Sequence, residues 1–268
     1  MIFLGKSQQQ YEKLLTAIVS KADDMGFRVD PTRIVCDFEL SIINAVSTVL
    51  GPHVSVQGCF YHLCQSTWRK IQDLGLTTAY KEIEDVKRFC GMLDALAFLP
   101  LAEVKEGLRH IYDTIPDVPG LQELLTYFDA TYVMGTFRRI QRRASPVPLR
   151  LRPIPPLFNP ERWNVFEATL AGDARTNNIC ESWNNAFSHL VGHAHPSVWR
   201  VIEAFQSDQA LVSTAIIQNG RGQPPVKRIR RDTAQLQQRL HRLCCRRRDG
   251  DISIVEMLED VAHTIRFH

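Results

Sequence analysis

One carboxylate in the chain stands where a metal ion can be bound. Asp37 ends the apolar run of residues 33–37, which predicts a short buried strand. Functional side chains of open α/β sheets lie at the carboxyl ends of strands, and a carboxylate there can hold a divalent cation through its oxygen atoms. The alternative is that Asp37 caps a helix beginning at Phe38, which is a common role for aspartate.

A second set of candidate ligands is the Cys-x2-His spacing of Cys59 and His62. A thiolate and an imidazole at this spacing can share one zinc ion, although a structural zinc site normally has four ligands. Cys64 would be a third ligand only if the segment bends, because on a continuous helix it lies on the side opposite Cys59. More distant candidates are His189, His193 and His195. The alternative is a packed cysteine and a hydrogen-bonded histidine at a strand–helix junction.

The segment RTNNICESWN places polar side chains at helical spacing. Asn177, Glu181 and Asn184 fall at i, i+4 and i+7 and form one stripe on a helix, with Asn178 beside it. An acid flanked by amides suits either a metal site or contacts to a phosphate backbone. The alternative is an amphipathic helix with Thr176 as its N-cap.

The positive charges are concentrated in two segments. Residues 135–152 hold six arginines and no acid, and residues 221–248 hold ten lysines and arginines with one aspartate. Together they carry a formal charge of +15, which leaves −12 on the rest of a chain whose net charge is +3. This asymmetry suggests a polyanionic partner, with nucleic acid as the first candidate. The alternative is that these arginines are solvated surface. The candidate DNA-binding residues are Arg138, Arg139, Arg142, Arg143, Lys227, Arg228, Arg230 and Arg231.

The elements that must position these residues begin with alternating strands and helices. Strands are predicted over 2–5, 33–37 and 54–56, and helices over 7–24 and 38–50, an order typical of a parallel α/β unit.

From residue 59 the pattern becomes helical, and six prolines between residues 145 and 160 predict an extended connection. Helices are predicted over 60–74, 79–98, 101–114, 119–134, 176–192, 197–218, 232–245 and 252–265.

Composition excludes several classes of protein. With 44% hydrophobic and 23% charged residues the chain is expected to be soluble and globular. No apolar run approaches the roughly 20 residues that span a bilayer, so a membrane protein is not expected. The seven irregularly spaced cysteines indicate free thiols or metal ligands in a reducing compartment.

Several blocks of the chain, taken in order, resemble the Mutator-like element (MULE) transposases. The blocks are GKSQQQYEKLL, IVCDFELSIINAV, GCFYHLCQSTWRKIQDLGL, ALAFLP, RTNNICESWNNAF and HPSVW, and they span most of residues 1–205. The resemblance implies a ribonuclease-H-like core with an Asp–Asp–Glu triad for Mg²⁺ (or Mn²⁺) and an all-helical insertion before the glutamate. By position Asp37 matches the second aspartate and Glu181 the glutamate, while Cys59 and His62 match the family's Cys-x2-His signature.

The resemblance also implies an incomplete core, because the family's first aspartate lies on a strand that would precede this sequence. We therefore expect an α/β fold that is predominantly helical, with a partial ribonuclease-H-like core of about three strands, a large all-α insertion and a helical C-terminal region. The expected divisions are a partial core over 1–58, the insertion over 59–144, a proline-rich connection over 145–174, a core helix carrying Glu181 over 175–195 and a basic helical region over 196–268.

These observations predict a transposase-derived DNA-binding domain, related to enzymes that cleave DNA and transfer strands but inactive alone because one catalytic aspartate is missing. The alternative is a non-catalytic DNA-binding or protein-interaction module domesticated from a transposon. Mg²⁺ or Mn²⁺ is the expected cofactor of an active form, with Zn²⁺ at Cys59 and His62 as a second metal. DNA and a second copy of the chain are the expected partners. Residues 224–231, PPVKRIRR, resemble a nuclear import signal and favour a nuclear location.

Overall fold

The computed structural model describes residues 5–140, 150–223 and 230–266, with residues 139, 140 and 150 described in their backbone alone. Helices predominate in these residues and strands are few, which confirms the mostly helical class expected from the sequence. The chain forms two compact units. The first comprises Met1–Thr176 and Leu236–His268, and the second is Asn177–Gln235.

A strand–helix–strand segment opens the first unit. β1 (Arg33–Cys36) and β2 (Ser55–Gly58) are parallel neighbours, and α2 (Leu40–Val49) connects them. α1 (Gln8–Asp24) precedes β1 and packs against α2. The strand predicted at residues 2–5 lies almost wholly outside the described residues. Within the part of the chain that the structure describes, this sheet has two strands, so the larger ribonuclease-H-like sheet stays a prediction.

The first unit is helical after β2. Its next helices are α3 (Phe60–Asp73), α4 (Thr77–Glu82), α5 (Glu84–Ala95), α6 (Val104–Asp113) and α7 (Leu121–Phe128). A π-helical turn at Asp129–Val133 continues α7. The single helix predicted over 79–98 is divided at Ile83, whose backbone is extended. Fully buried Leu63, Phe89 and Ile111 belong to the core that these helices share.

A two-stranded antiparallel ribbon follows the π turn. β3 (Thr136–Ile140) pairs with β4 (Arg150–Ile154), and the short helices α8 (Pro160–Trp163) and α9 (Phe166–Leu170) return the chain to the core. The sequence predicted an extended connection over 145–160 but did not predict that part of it pairs with an earlier strand.

The second unit is built on two helices, α10 (Asn178–Val191) and α11 (Val198–Gly220). Phe187 stacks on Trp183 at 5.1 Å between ring centroids and contacts Phe205 at 4.6 Å, which joins the helices through aromatic packing. None of the described helices combines the length and hydropathy needed to cross a bilayer.

The last two helices are α12 (Arg231–Arg248) and α13 (Ile254–Arg266). α13 packs against α5, and a Cβ atom added to Gly91 of α5 would lie only 2.9 Å from the Cβ of Ala262. The C-terminal helix is therefore part of the core of the first unit, although 158 residues lie between the end of α5 and the start of α13.

Candidate functional site

Asp37 and His62 come together at the carboxyl edge of the two parallel strands. Asp37 directly follows β1, and Cys59 directly follows β2, where its amide donates to the carbonyl of Cys36 over 2.8 Å. His62 lies in the first turn of α3, and its Nδ1 is 3.1 Å from Oδ1 of Asp37. The Asp37 side chain is 48% exposed and that of His62 only 22%, so the carboxylate can be reached from solvent while the imidazole supports it from the protein side.

The structure does not support the alternative that Asp37 caps a helix. α2 begins at Leu40, with Glu39 at the N-cap position and no side-chain cap hydrogen bond. Asp37 interacts locally through its backbone, because its carbonyl accepts a hydrogen bond from the amide of Glu39 at 2.8 Å. Its side chain is thus available for the contact with His62.

Packing of Phe38 fixes the backbone next to Asp37. The Phe38 ring makes edge contacts with Phe158 and Tyr132, with centroids 5.0 and 5.8 Å apart. The same ring covers Gly58, where an added Cβ would lie 2.5 Å from it. The glycine at the end of β2 therefore permits the close approach that positions the carboxyl edge.

A structural zinc site normally has four ligands, of which Cys59 and His62 would supply two. The described residues contain no group of three or more His, Cys, Asp or Glu side chains placed to hold one metal ion. Cys59 is fully buried, and Cys64 lies beside Asp94, where burial and the nearby carboxylate raise the pKa of its thiol well above the usual value. Zinc binding requires a thiolate, so Cys64 is a poor ligand in this position. Zinc at Cys59 and His62 stays a prediction.

A buried thiol also flanks Asp37 on β1. Burial, reinforced by the charge of Asp37, raises the pKa of Cys36 to about 11. Cys36 is therefore a neutral thiol near neutral pH and serves as a core residue at the carboxyl edge.

Glu181 and the three asparagines of its segment lie at the start of α10. Asn177, not Thr176, occupies the N-cap position, and Asn178 and Glu181 are in the first turn, with Asn184 one turn further. A carboxylate in the first turn interacts favourably with the helix dipole. Glu181 belongs to the second unit, whereas Asp37 belongs to the first.

Arg175, the first residue of the RTNNICESWN segment, is anchored at the carboxyl edge. The Arg175 carbonyl accepts a hydrogen bond from the amide of Phe60 at 2.9 Å, which caps the first turn of α3. The Arg175 guanidinium donates to Thr169 and Gln237 and lies over the ring of Phe98, and burial lowers its pKa. Arg175 is a structural residue, not an exposed phosphate ligand.

The candidate DNA-binding residues are spread over both basic segments. Arg138 is exposed on β3, Arg139 is described in its backbone only, and Arg230 and Arg231 are exposed at the start of α12. The others, Arg142, Arg143, Lys227 and Arg228, lie outside the described residues.

Further arginines, not singled out from the sequence, lie along α12 and on β4. Arg239, Arg242 and Arg246 are exposed at i, i+3 and i+7, the spacing of one helix face. Arg247 is instead bound by Glu103, with nitrogen–oxygen distances of 2.7 and 2.8 Å. Arg152 lies opposite Arg138 in the ribbon. TFRRI and RLRPI show little apolar alternation, so the sequence carries only a weak signal for this ribbon.

Comparison of the chain with protein-family models, curated proteins and solved structures returns no match.

Proposed function

We propose that the chain is a transposase-derived DNA-binding domain, built on the plan of the MULE enzymes, in which Asp37 is a metal ligand. The observation that carries this proposal is the 3.1 Å contact between Asp37 Oδ1 and His62 Nδ1 at the carboxyl edge of adjacent parallel strands. Asp37 and His62 come from separate sequence motifs, and they meet at the edge where α/β sheets place functional groups.

Asp37 fits the role of a magnesium ligand. Mg²⁺ binds oxygen and commonly takes only one or two carboxylates from the protein, with water and substrate phosphates completing its coordination. His62 orients the carboxylate, as residues behind metal ligands commonly do. When bound, Mg²⁺ would activate a water molecule or DNA hydroxyl and stabilise the leaving oxygen.

Glu181 is proposed as the second carboxylate. Its side chain belongs to the first turn of α10. This role follows from the MULE resemblance.

The basic residues would supply DNA affinity. Exposed arginines on β3, β4 and α12 can neutralise phosphates and release the counterions that DNA holds. A DNA partner also accounts for the nuclear import pattern at 224–231.

The alternative proposal is a DNA-binding module without catalysis. It is favoured by the exposed arginines of β3, β4 and α12, which can contact phosphates without a metal ion. Under this alternative Asp37 and His62 form a structural contact only.

Metal titration of the purified chain separates these two proposals. We expect Mn²⁺, used as a probe for Mg²⁺, to bind and to strengthen binding of a short DNA duplex, and we expect Asp37→Ala and Glu181→Ala each to remove both effects. His62→Ala should weaken Mn²⁺ binding by about 10- to 100-fold, the usual effect of removing a residue that orients a ligand. Asp117→Ala, which removes an exposed carboxylate outside the site, is the matched control and should leave both effects intact. DNA binding that needs no metal and survives both site substitutions would support the alternative.

A further inference from the structure

The β3–β4 ribbon brings two arginines face to face. Arg138 and Arg152 are directly opposite in the antiparallel register, and both side chains are exposed. Like charges at directly opposed positions destabilise a strand pair. No ion pair in the described part of the chain involves either guanidinium to offset this repulsion. The ribbon therefore carries a repulsion that an external anion would relieve.

The base of the ribbon is firmly attached to the core. Gly135, with φ of +78°, precedes β3, and an added Cβ there would lie 2.1 Å from the carbonyl oxygen of Ile154. Trp163 donates from Nε1 to the carbonyls of Tyr132 at 2.8 Å and Phe158 at 3.2 Å, which ties both ends of the ribbon together. The opposed arginines thus project from a support that is hydrogen-bonded to the core.

The support also places the ribbon beside the candidate metal ligand. Tyr132 and Phe158 at its base are the residues whose rings contact Phe38, and Phe38 directly follows Asp37. A ligand bound along the ribbon would start near the carboxyl edge of the parallel strands.

We propose that the β3–β4 ribbon docks in the major groove of double-stranded DNA, with Arg138 and Arg152 bound to phosphates that line the groove. This inference rests on the proposed function and specifies its partner as a B-form duplex. A two-stranded ribbon matches the width of the B-form major groove, whereas the major groove of A-form RNA is too narrow to admit it. The DNA phosphates supply the negative charge that the arginine pair lacks among the described residues.

The opposite face of the ribbon defines the competing ligand that a test must include. Phe137 and Leu151 are 68% and 56% exposed, and they alternate with Arg138 and Arg152 along the strands. A ribbon that exposes apolar side chains together with arginines also resembles a membrane-surface binder. Vesicles that contain phosphatidylserine therefore belong in the experiment.

Arg152→Glu separates an effect on binding from an effect on folding. The substitution replaces the arginine repulsion by an ion pair with Arg138, so the thermal midpoint should stay level or rise. Loss of one phosphate contact lowers duplex affinity by about eightfold at 0.1 M salt, and the new negative charge adds repulsion, so we expect a loss of about tenfold or more. Arg109→Glu, an exposed charge reversal on α6, is the matched control and should lower affinity by only a small factor.

The outcomes distinguish a failure of the proposed ribbon docking from a failure of the proposed DNA-binding function. Equal losses in Arg152→Glu and Arg109→Glu, or no loss in either while the wild-type chain binds duplex DNA, would overturn the ribbon and leave the proposed function standing. No duplex binding by the wild-type chain at low salt would overturn both. A ribbon-dependent affinity for phosphatidylserine vesicles without one for DNA, or an equal dependence with double-stranded RNA, would also reject docking in the B-form groove.

Discussion

At the scale of single residues, the first unit contains a buried ion pair between Asp94 and Arg266. The Asp94 side chain is completely buried, and it accepts hydrogen bonds from Arg266 and, at 2.9 Å, from Thr67. Burial lowers the pKa of the Arg266 guanidinium, but Asp94, together with Cys64, Tyr80 and Cys90, raises this pKa above its usual value. The Arg266 guanidinium also lies over the ring of Tyr80, 5.7 Å from its centroid.

Removing one partner of this pair should destabilise the protein strongly. Asp94→Ala leaves the charge of Arg266 buried without compensation, and we expect the free energy of unfolding to fall by about 3–5 kcal/mol. The double substitution Asp94→Ala with Arg266→Met removes that charge and should recover part of the loss. Denaturant unfolding followed by circular dichroism measures both changes.

An exposed ion pair provides the control for this prediction. Asp85 and Arg88 are paired at 2.5 Å with side chains that are 65% and 50% exposed, so Asp85→Ala should cost less than about 1 kcal/mol. Equal losses for Asp85→Ala and Asp94→Ala, or a double variant less stable than Asp94→Ala alone, would contradict the account of the buried pair.

At the scale of elements, the β3–β4 ribbon depends on one glycine at its base. Gly135 has a positive φ and lies against the backbone of Ile154, so two separate physical demands exclude a side chain there. Gly26 has the same φ of +78° but has no neighbouring atom within 4 Å of an added Cβ. A substitution at Gly26 therefore tests the cost of a positive φ alone. The same substitution at Gly135 tests that cost together with the clash against Ile154.

We predict that Gly135→Ala destabilises the chain more than Gly26→Ala. Both substitutions force alanine into a left-handed conformation, which costs about 1–2 kcal/mol. Gly135→Ala must also displace the carbonyl of Ile154, which should add about 1–3 kcal/mol, as overpacking commonly does. Denaturant midpoints of the two variants measure the difference, and equal midpoints would show that the contact with Ile154 does not fasten the ribbon.

The helices were predictable from the sequence to a greater extent than the ribbon. The segment over 60–74 was predicted from its apolar spacing and is found as α3, because the signal for an amphipathic helix lies within the segment itself. The ribbon joins TFRRI to RLRPI across residues 141–149, and short strands rich in arginine and interrupted by proline carry little apolar alternation. Pairing between such strands depends on partners, not on local pattern.

The candidate site was predictable only in part for a related reason. The position of Asp37 at a strand end followed from the apolar run before it. Its contact with His62 depends on α3 beginning immediately after β2, so that the first helical turn faces the end of β1. The sequence motif paired His62 with Cys59, whereas the structure brings His62 to Asp37.

At the scale of the whole molecule, chain order and spatial order differ. The first unit is made from two stretches of chain, and the hydrogen bond between Arg175 and Gln237 joins them at the point where the second unit departs and returns. The C-terminal helix completes the core beside α5. The hydrophobic periodicity of the sequence predicts each helix but does not predict which helices pack together, because that depends on which apolar faces meet.

Charge is also organised over the whole chain. The two basic segments oppose an otherwise acidic chain, and the exposed arginines of β3, β4 and α12 lie within them. A protein with this distribution is expected to bind a polyanion through several separate contacts, each of which weakens as salt competes for the phosphates.

The salt dependence of duplex affinity tests this central claim most directly. Binding of the wild-type chain to a labelled random-sequence duplex should be measured at a series of salt concentrations. If four phosphate contacts form, the affinity should fall by about a hundredfold between about 50 and 200 mM salt, with a linear relation between the logarithms. Absence of binding at the lowest salt concentration, or an affinity that does not change with salt, would contradict the proposal that the chain binds DNA.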